Sequence, residues 1–173
     1  MKHFHSLYRF LGLLFIFTSV VTVHAEEQTR VEIVPQISHK ANYSINATAF
    51  SPDGRRIFTA GADGLLKLWD VSTGKLIRTY EGHRDAIGAA ALSSDGLQIL
   101  SASNDNTIKL WDVTSGRIIR SAEGEQLNTV AFSPDGKKVL LAYANKILRV
   151  EESSTGKSIH NLEHGDSVTV AIF

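Results

Sequence analysis

Short apolar segments alternate with polar turns along most of the chain. In the first unit, a Ser-Pro-Asp-Gly turn at 51–54 separates apolar segments at 48–50 and 57–59. Pro presets φ for the second position of a type I turn, and Gly suits the fourth position. Strands this short leave no room for crossover helices between them, so the pattern predicts an antiparallel sheet.

The same order of segments returns with a period of ~40 residues, which is typical of repeat architectures. Leu-Trp-Asp-Val occurs at 68–71 and again at 110–113. Turns with Asp-Gly in their last two positions occur at 51–54, 93–96 and 133–136. Because these markers keep one phase, each unit is predicted to be one small four-stranded sheet.

Two hairpins complete each unit. Asp-Gly at 63–64 and Asp-Asn at 105–106 tolerate the positive φ that a tight hairpin requires. These hairpins lead into third strands that end at Trp69 and Trp111. A second hairpin in each unit then opens the fourth strands, which are expected at 75–80 and 117–122.

These motifs resemble the WD-repeat family of β-propellers, whose repeats carry a Gly-His pair and a Trp-Asp pair. Gly82 with His83 and the two Trp-Asp pairs match this signature. The resemblance covers 38–173, as three repeats and the first strand of a fourth at 168–173. It implies an all-β fold of four-stranded antiparallel blades. Since a propeller typically closes with ~4 to 8 blades, we expect an incomplete propeller that could self-associate through its open blade faces.

The third repeat is degenerate. Val150 with Glu151 is predicted to stand in place of Trp-Asp, and Gly124 with Glu125 in place of Gly-His. The turn at Asn145 is predicted to be one residue shorter than its counterparts.

The second repeat contains His83, Ser101, Asp105 and Trp111. The resemblance implies that these four residues form a buried hydrogen-bond chain that fixes the blade, because buried polar groups need partners. Ser, His and Asp could also suggest a catalytic triad. A nucleophile, however, needs an exposed oxygen and an oxyanion site, neither of which this pattern provides.

The first repeat has a partial version of the same set. Thr59, Asp63 and Trp69 occupy the matching positions, whereas the nearest histidine, His39, lies two residues out of register. We therefore expect the middle blade to be the most rigid.

The resemblance implies a protein or peptide partner, bound on a rim of the propeller. Arg84, Asp85 and Asn104 are candidate contacts, because they occupy turns beside the predicted chain of hydrogen bonds.

The predicted function is a non-catalytic, exported scaffold for protein–protein interaction. The alternative is a cofactor-linked or enzymatic propeller of the quinoprotein-like or Tol-type periplasmic kind. No cofactor is predicted, because the sequence shows no carboxylate pair, metal-ligand cluster or Gly-rich phosphate loop. His160 and His164 lie too far apart on an extended segment to share a metal ion.

Composition and the N-terminus narrow the class further. Eighteen Lys and Arg balance eighteen Asp and Glu in 173 residues, which argues against a nucleic-acid partner, and the chain contains no Cys.

Lys2 and Arg9 precede an apolar run at 10–23 that ends before Ala25. This order predicts a signal peptide at 1–25, hence an exported protein, with membrane attachment only if the signal stays uncleaved. The segment at 26–37 follows, with a candidate closing strand at 31–37. Formal glycosylation sequons begin at Asn42 and Asn46.

Overall fold

The computed structural model describes residues 43–169, which form twelve strands. Blade 1 contains β1 (Ile45–Phe50), β2 (Arg56–Gly61), β3 (Leu66–Asp70) and β4 (Leu76–Tyr80). Blade 2 contains β5 (Ile87–Leu92), β6 (Gln98–Ser103), β7 (Thr107–Asp112) and β8 (Ile118–Glu123). Blade 3 contains β9 (Leu127–Phe132), β10 (Lys138–Tyr143), β11 (Ile147–Glu152) and β12 (Ser158–Glu163).

Each blade is a separate antiparallel sheet whose strands follow chain order from one edge to the other. The prediction of an all-β fold built from three four-stranded repeats is therefore confirmed. Three blades are fewer than the ~4 to 8 of a closed ring, so the described residues form an incomplete propeller. Residues 43–169 contain no helix that is long and apolar enough to cross a membrane.

The hairpins between the second and third strands have the backbone that the sequence predicts. Gly64 has φ +76° and Asn106 has φ +61°, both in the left-handed region. Glycine meets no steric penalty there, and asparagine tolerates it better than most residues. These turns place Asp63 and Asp105 at the same end of neighbouring blades.

The third blade corrects the predicted register. Leu141 pairs with Arg149, just as Ser101 pairs with Lys109 in blade 2. The hairpin around Asn145 is therefore as long as its counterpart, and the prediction of a shortened turn is wrong. Glu151, rather than Val150, takes the place of Trp111. The apolar character of Val150 misled the prediction, because a polar residue at a buried Trp position has no sequence signal.

The core lies between the blades, because both faces of the middle sheet carry apolar side chains. One cluster joins blades 1 and 2 and includes Phe58, Leu66, Leu68, Tyr80, Ile99 and Trp111. The other joins blades 2 and 3 and includes Leu100, Ile108, Leu110, Val130, Val139 and Leu141. The first strands β1, β5 and β9 are the nearest neighbours across these interfaces.

Hydrogen bonds from the fourth strands supplement this packing. The Tyr80 hydroxyl donates to the Val113 carbonyl oxygen at 2.9 Å, and its ring meets Trp111 edge-on. Arg78 donates to the carbonyl oxygens of Thr114 and Ser115, at 3.1 and 3.3 Å. Blade 1 is thereby tied to a turn of blade 2 as well as to its apolar face.

A repeated contact marks the start of the next first strand. The Asn46 side-chain amide donates to the carbonyl oxygen of Ile87 at 2.8 Å. The Asn128 amide makes the same bond to Val168 at 3.1 Å, so Val168 lies where a fourth repeat would begin its first strand. Residues 168–169 are not in a strand, and 170–173 lie outside the described residues. The predicted signal at 1–25, the candidate closing strand at 31–37 and Asn42 lie outside them as well.

Candidate functional site

The polar chain of blade 2 begins at the indole of Trp111. Its Nε1–H donates to Ser101 Oγ at 2.8 Å, and the same oxygen lies 2.8 Å from His83 Nε2. Since Ser101 Oγ accepts from the indole, its own proton is free to donate to Nε2. This pattern assigns a neutral His83 with its proton on Nδ1, which faces Asp105 Oδ2 at 3.1 Å.

The carboxylate of Asp105 ends this chain and also holds two turns. Its Oδ2 accepts the backbone N–H of Arg84 at 2.9 Å. Its Oδ1 accepts both the hydroxyl and the backbone N–H of Thr107, at 2.6 and 2.9 Å. Burial opposes ionisation of Asp105, but these donors, together with His83, hold the pKa of its carboxyl well below the ordinary value. Sequence analysis missed Thr107, although an Asp that bonds two residues ahead is a common turn arrangement.

The imidazole of His83 is completely enclosed. Its side chain is 0% exposed, and burial lowers its pKa even though Asp105 favours the charged form. The ring meets Trp111 edge-on, with 5.9 Å between ring centroids. Gly82 precedes His83 because a Cβ at this position would stand only 3.0 Å from the Trp111 ring. The Gly-His pair thus reflects close packing on the indole.

Ser101 cannot act as a surface nucleophile in this arrangement. The residue is 0% exposed, and its oxygen already contacts both His83 and Trp111. The structure therefore brings together the four residues named from the sequence, as a buried structural chain in the middle blade.

Blade 1 contains one part of the same arrangement. Trp69 Nε1–H donates to Thr59 Oγ1 at 3.0 Å, in place of the Trp-Ser bond of blade 2. Asp63 accepts the backbone N–H of Leu65 and forms an ion pair with Lys67 at 3.6 Å. His39, the histidine nearest in sequence to the position that matches His83, lies outside the described residues.

Blade 3 replaces the indole by a buried carboxylate. Glu151 is 7% exposed and lies 3.4 Å from Arg120 Nη1 of blade 2 and 3.7 Å from Arg149 Nη1. Glu125 follows Gly124 and takes the place of the histidine in the Gly-His pair. It accepts a hydrogen bond from the Asn145 amide. The degenerate repeat thus keeps bonds at equivalent places, with charged and amide groups in new roles.

The three candidate partner contacts lie on one end of blade 2. Arg84, Asp85 and Asn104 are all exposed. The carbonyl oxygen of Asp85 accepts a hydrogen bond from Ser103 Oγ at 2.9 Å, and its carboxylate accepts the N–H of Ala86. This end, called the loop rim below, presents the turns that precede β5 and follow β6.

A polar cleft of about 780 Å³ opens on the loop rim. Its walls come from the loop before β5, from β7 and its preceding turn, and from the segment between blades 2 and 3. The lining residues are Gly82, Arg84, Asp105, Asn106, Thr107, Lys109, Glu123, Gly124, Glu125 and Gln126. Of the three candidate partner contacts, Arg84 lines this cleft whereas Asp85 and Asn104 do not, and Lys109 was not predicted from the sequence. In the part of the chain that the structure describes, no group of three His, Asp or Glu side chains is arranged to hold a metal ion.

Comparison with known proteins identifies related sequences. The family model described as "WD domain, G-beta repeat" matches residues 33–70 and 74–112. WD repeat-containing protein RUP2 of Arabidopsis thaliana is 64% identical over 31 residues, which are 18% of this chain and 8% of that protein. WD repeat domain-containing protein 83 of Danio rerio is 48% identical over 40 residues, 23% of this chain and 13% of that protein. Periodic tryptophan protein 2 homolog of Dictyostelium discoideum is 34% identical over 62 residues, 36% of this chain and 6% of that protein. The chain therefore spans no more than 13% of the length of these three relatives.

Substitution of the buried chain should destabilise the fold. We expect Trp111→Ala to lower the free energy of unfolding by ~3 to 5 kcal/mol, because it removes packing and an N–H donor. His83→Ala should cost ~1 to 3 kcal/mol, since the buried Ser101 hydroxyl loses its imidazole acceptor and Asp105 loses one of its donors. Thermal and urea unfolding measure both effects. His160→Ala, at an exposed position on β12, is the control and should change little. Equal stability of all three variants would mean that the chain does not hold the blade.

Stability should also fall as the pH is lowered from about 7 to about 5. His83 has a lowered pKa in the folded chain, whereas the unfolded chain takes up a proton near the ordinary value of about 6.5. The unfolded state then binds more protons than the folded state, so acid favours unfolding. Asp105 acts in the same direction below a pH of about 4, because its folded pKa is also lowered. Urea unfolding at a series of pH values measures this trend.

His83→Gln tests whether the imidazole causes the first part of this pH dependence. The variant should lose much of the slope between pH of about 7 and 5, whereas His160→Gln should keep it. A slope that persists unchanged in His83→Gln would assign the effect to other groups.

Proposed function

We propose that this chain is a non-catalytic scaffold that binds a protein or peptide partner on its loop rim. The premise is that it carries the repeats of the WD-repeat family. Residues 33–70 and 74–112 match the family model, and the described residues form three four-stranded blades of the expected kind. The single observation that carries the proposal is the placement of exposed Arg84, Asp85 and Asn104 in the turns next to the hydrogen-bonded chain of blade 2.

The physical support for this proposal is that buried hydrogen bonds hold the backbone of the loop rim while side chains on the rim remain exposed. Below the rim, Asp105 fixes the loop before β5 through the Arg84 N–H and fixes the β6–β7 turn through Thr107. Above it, the side chain of Arg84 is exposed. A surface whose backbone is already ordered loses less conformational entropy on binding. This favours recognition of a partner by preformed loops.

A cofactor-linked or enzymatic propeller is the alternative function. The Ser-His-Asp set of blade 2 supplies no support for it, because its oxygen and imidazole are enclosed and occupied by structural hydrogen bonds. No other observation in the described residues favours this alternative.

Capture by wild-type and variant chains tests the scaffold. The tagged chain is immobilised, and bound proteins from the native host are quantified. A rim variant with Arg84→Ala, Asp85→Ala and Asn104→Ala should recover much less of a specific partner, because interface energy concentrates in a few residues. The control carries Arg55→Ala, Lys75→Ala and Lys137→Ala, three exposed positions at the opposite end of the blades. Partner recovery that depends on neither set, or only on the control set, would contradict binding at the loop rim.

Export is the second part of the proposal. It rests on the charged start, the apolar run at 10–23 and the exit at Ala25 in the sequence. We expect the mature chain to begin at Glu26 and to be found outside the cytoplasm. Intact-mass measurement of the protein from the exported fraction checks this. Recovery only from the cytoplasm with Met1 retained would contradict it.

A further inference from the structure

The third strand of every blade carries a cation at the same register. Lys67 pairs with Thr59, Lys109 with Ser101 and Arg149 with Leu141. These three cations therefore hold equivalent positions, and comparison of their surroundings shows what is different about blade 2.

In blades 1 and 3, the cation has a carboxylate partner within its own blade. Lys67 lies 3.6 Å from Asp63, and Arg149 lies 3.7 Å from Glu151. Lys67 is buried, and such pairing is what a buried charge normally requires, since removal from water is costly without an opposite charge; Arg149 is only partly buried.

Lys109 differs, although it is only 8% exposed. Its ammonium group donates to Ser121 Oγ at 2.8 Å, and among residues 43–169 it has no carboxylate oxygen within 4.0 Å. Asp105, the counterpart of Asp63, is committed to His83, Thr107 and the Arg84 backbone. An ammonium has three donors, so a hydroxyl partner leaves both its charge and part of its donor capacity unused.

The cleft of the loop rim opens beside this ammonium group. Lys109 and Arg84 both line it, so two cationic side chains face one cavity. Of the acidic side chains in the lining, Asp105 is held in the buried chain and Glu125 is bonded to Asn145. Glu123 also lines the cleft and is exposed. Its negative charge repels an anion with several charges more strongly than an anion with a single charge.

We propose that this cleft is a binding site for a single carboxylate group of a partner peptide, with Lys109 as the buried cation and Arg84 as the exposed one. The inference deepens the proposed function and rests on it, because it names the chemistry that the loop rim recognises. A charged hydrogen bond to a carboxylate would complete in blade 2 the pairing that blades 1 and 3 make internally.

Short peptides test the site on the 173-residue chain. The probes are N-acetyl-Gly-Glu-Gly-amide, which has a side-chain carboxylate, and N-acetyl-Gly-Gly-Gly with a free C-terminal carboxylate. N-acetyl-Gly-Gln-Gly-amide is the uncharged match for the first probe. Titrations follow the ε-methylene signals of lysine in ¹H–¹³C spectra, with the Lys109 signal assigned from its loss in Lys109→Arg. We expect a saturable shift of Lys109 with one or both carboxylate probes and none with the Gln peptide. The more effective probe identifies the source of the carboxylate.

Variants then locate the binding. Lys109→Met should weaken the carboxylate probe at least about tenfold, as expected for loss of a charged hydrogen bond, with binding followed on other cleft signals. Arg84→Ala, on the exposed wall, should also weaken it, and it keeps the proposal testable if Lys109→Met does not fold. Lys75→Met, at the opposite end of the blade, should leave binding unchanged. Glu123→Gln should bind the probe as tightly as wild type or more tightly.

Four outcomes would overturn the proposal. One is no saturable shift at Lys109 with either carboxylate probe, and another is an equal shift with the Gln peptide. The third is binding that occurs only in Glu123→Gln, which would mean that Glu123 already neutralises Lys109 in solution. The fourth is partner capture that depends on the rim residues but is unchanged in Lys109→Met, which would retain the scaffold and reject the carboxylate site. Carboxylate binding without any rim-dependent partner would instead retain the site and reject the scaffold.

Discussion

Both faces of the middle sheet are apolar, with Ile99 and Trp111 on one side and Leu100 and Leu110 on the other. A four-stranded sheet of this kind cannot keep both faces from water by itself, because it has no layer of its own to cover either one. Packing between successive blades solves the problem on each side in turn. The contacts of β5 with β1 on one side and with β9 on the other follow from this requirement.

The polar chain of blade 2 extends this packing to the end of the sheet. Trp111 belongs to the apolar interface with blade 1, yet its N–H needs a partner there. Ser101 supplies that partner, His83 supplies one for Ser101, and Asp105 connects the imidazole to two loop segments. Burial of the indole is thus coupled to the order of the loop rim.

The same scaffold position carries different chemistry in each blade. Thr59 serves Trp69 in blade 1, Ser101 serves Trp111 in blade 2, and Glu151 with two arginines replaces the indole in blade 3. Asp105 links this structural chain to the cleft: within residues 43–169 its oxygens accept from the Arg84 and Thr107 donors and face His83, while the neighbouring Lys109 donates to the Ser121 hydroxyl rather than to a carboxylate.

The sequence by itself determined the repeat period, the four short strands of each unit, the turns of the first two units and the identity of the four residues in the chain of blade 2. These features depend on local order, since turn residues and alternating apolar positions act over a few neighbouring residues. Only the tertiary structure decided the register of blade 3, where Glu151 and not Val150 takes the indole position. It alone brought Arg120 of blade 2 to Glu151 and placed Lys109 beside a cleft formed by three separate segments. Such contacts join residues far apart in the chain, and their charges carry no periodic signal, so packing between blades determines them.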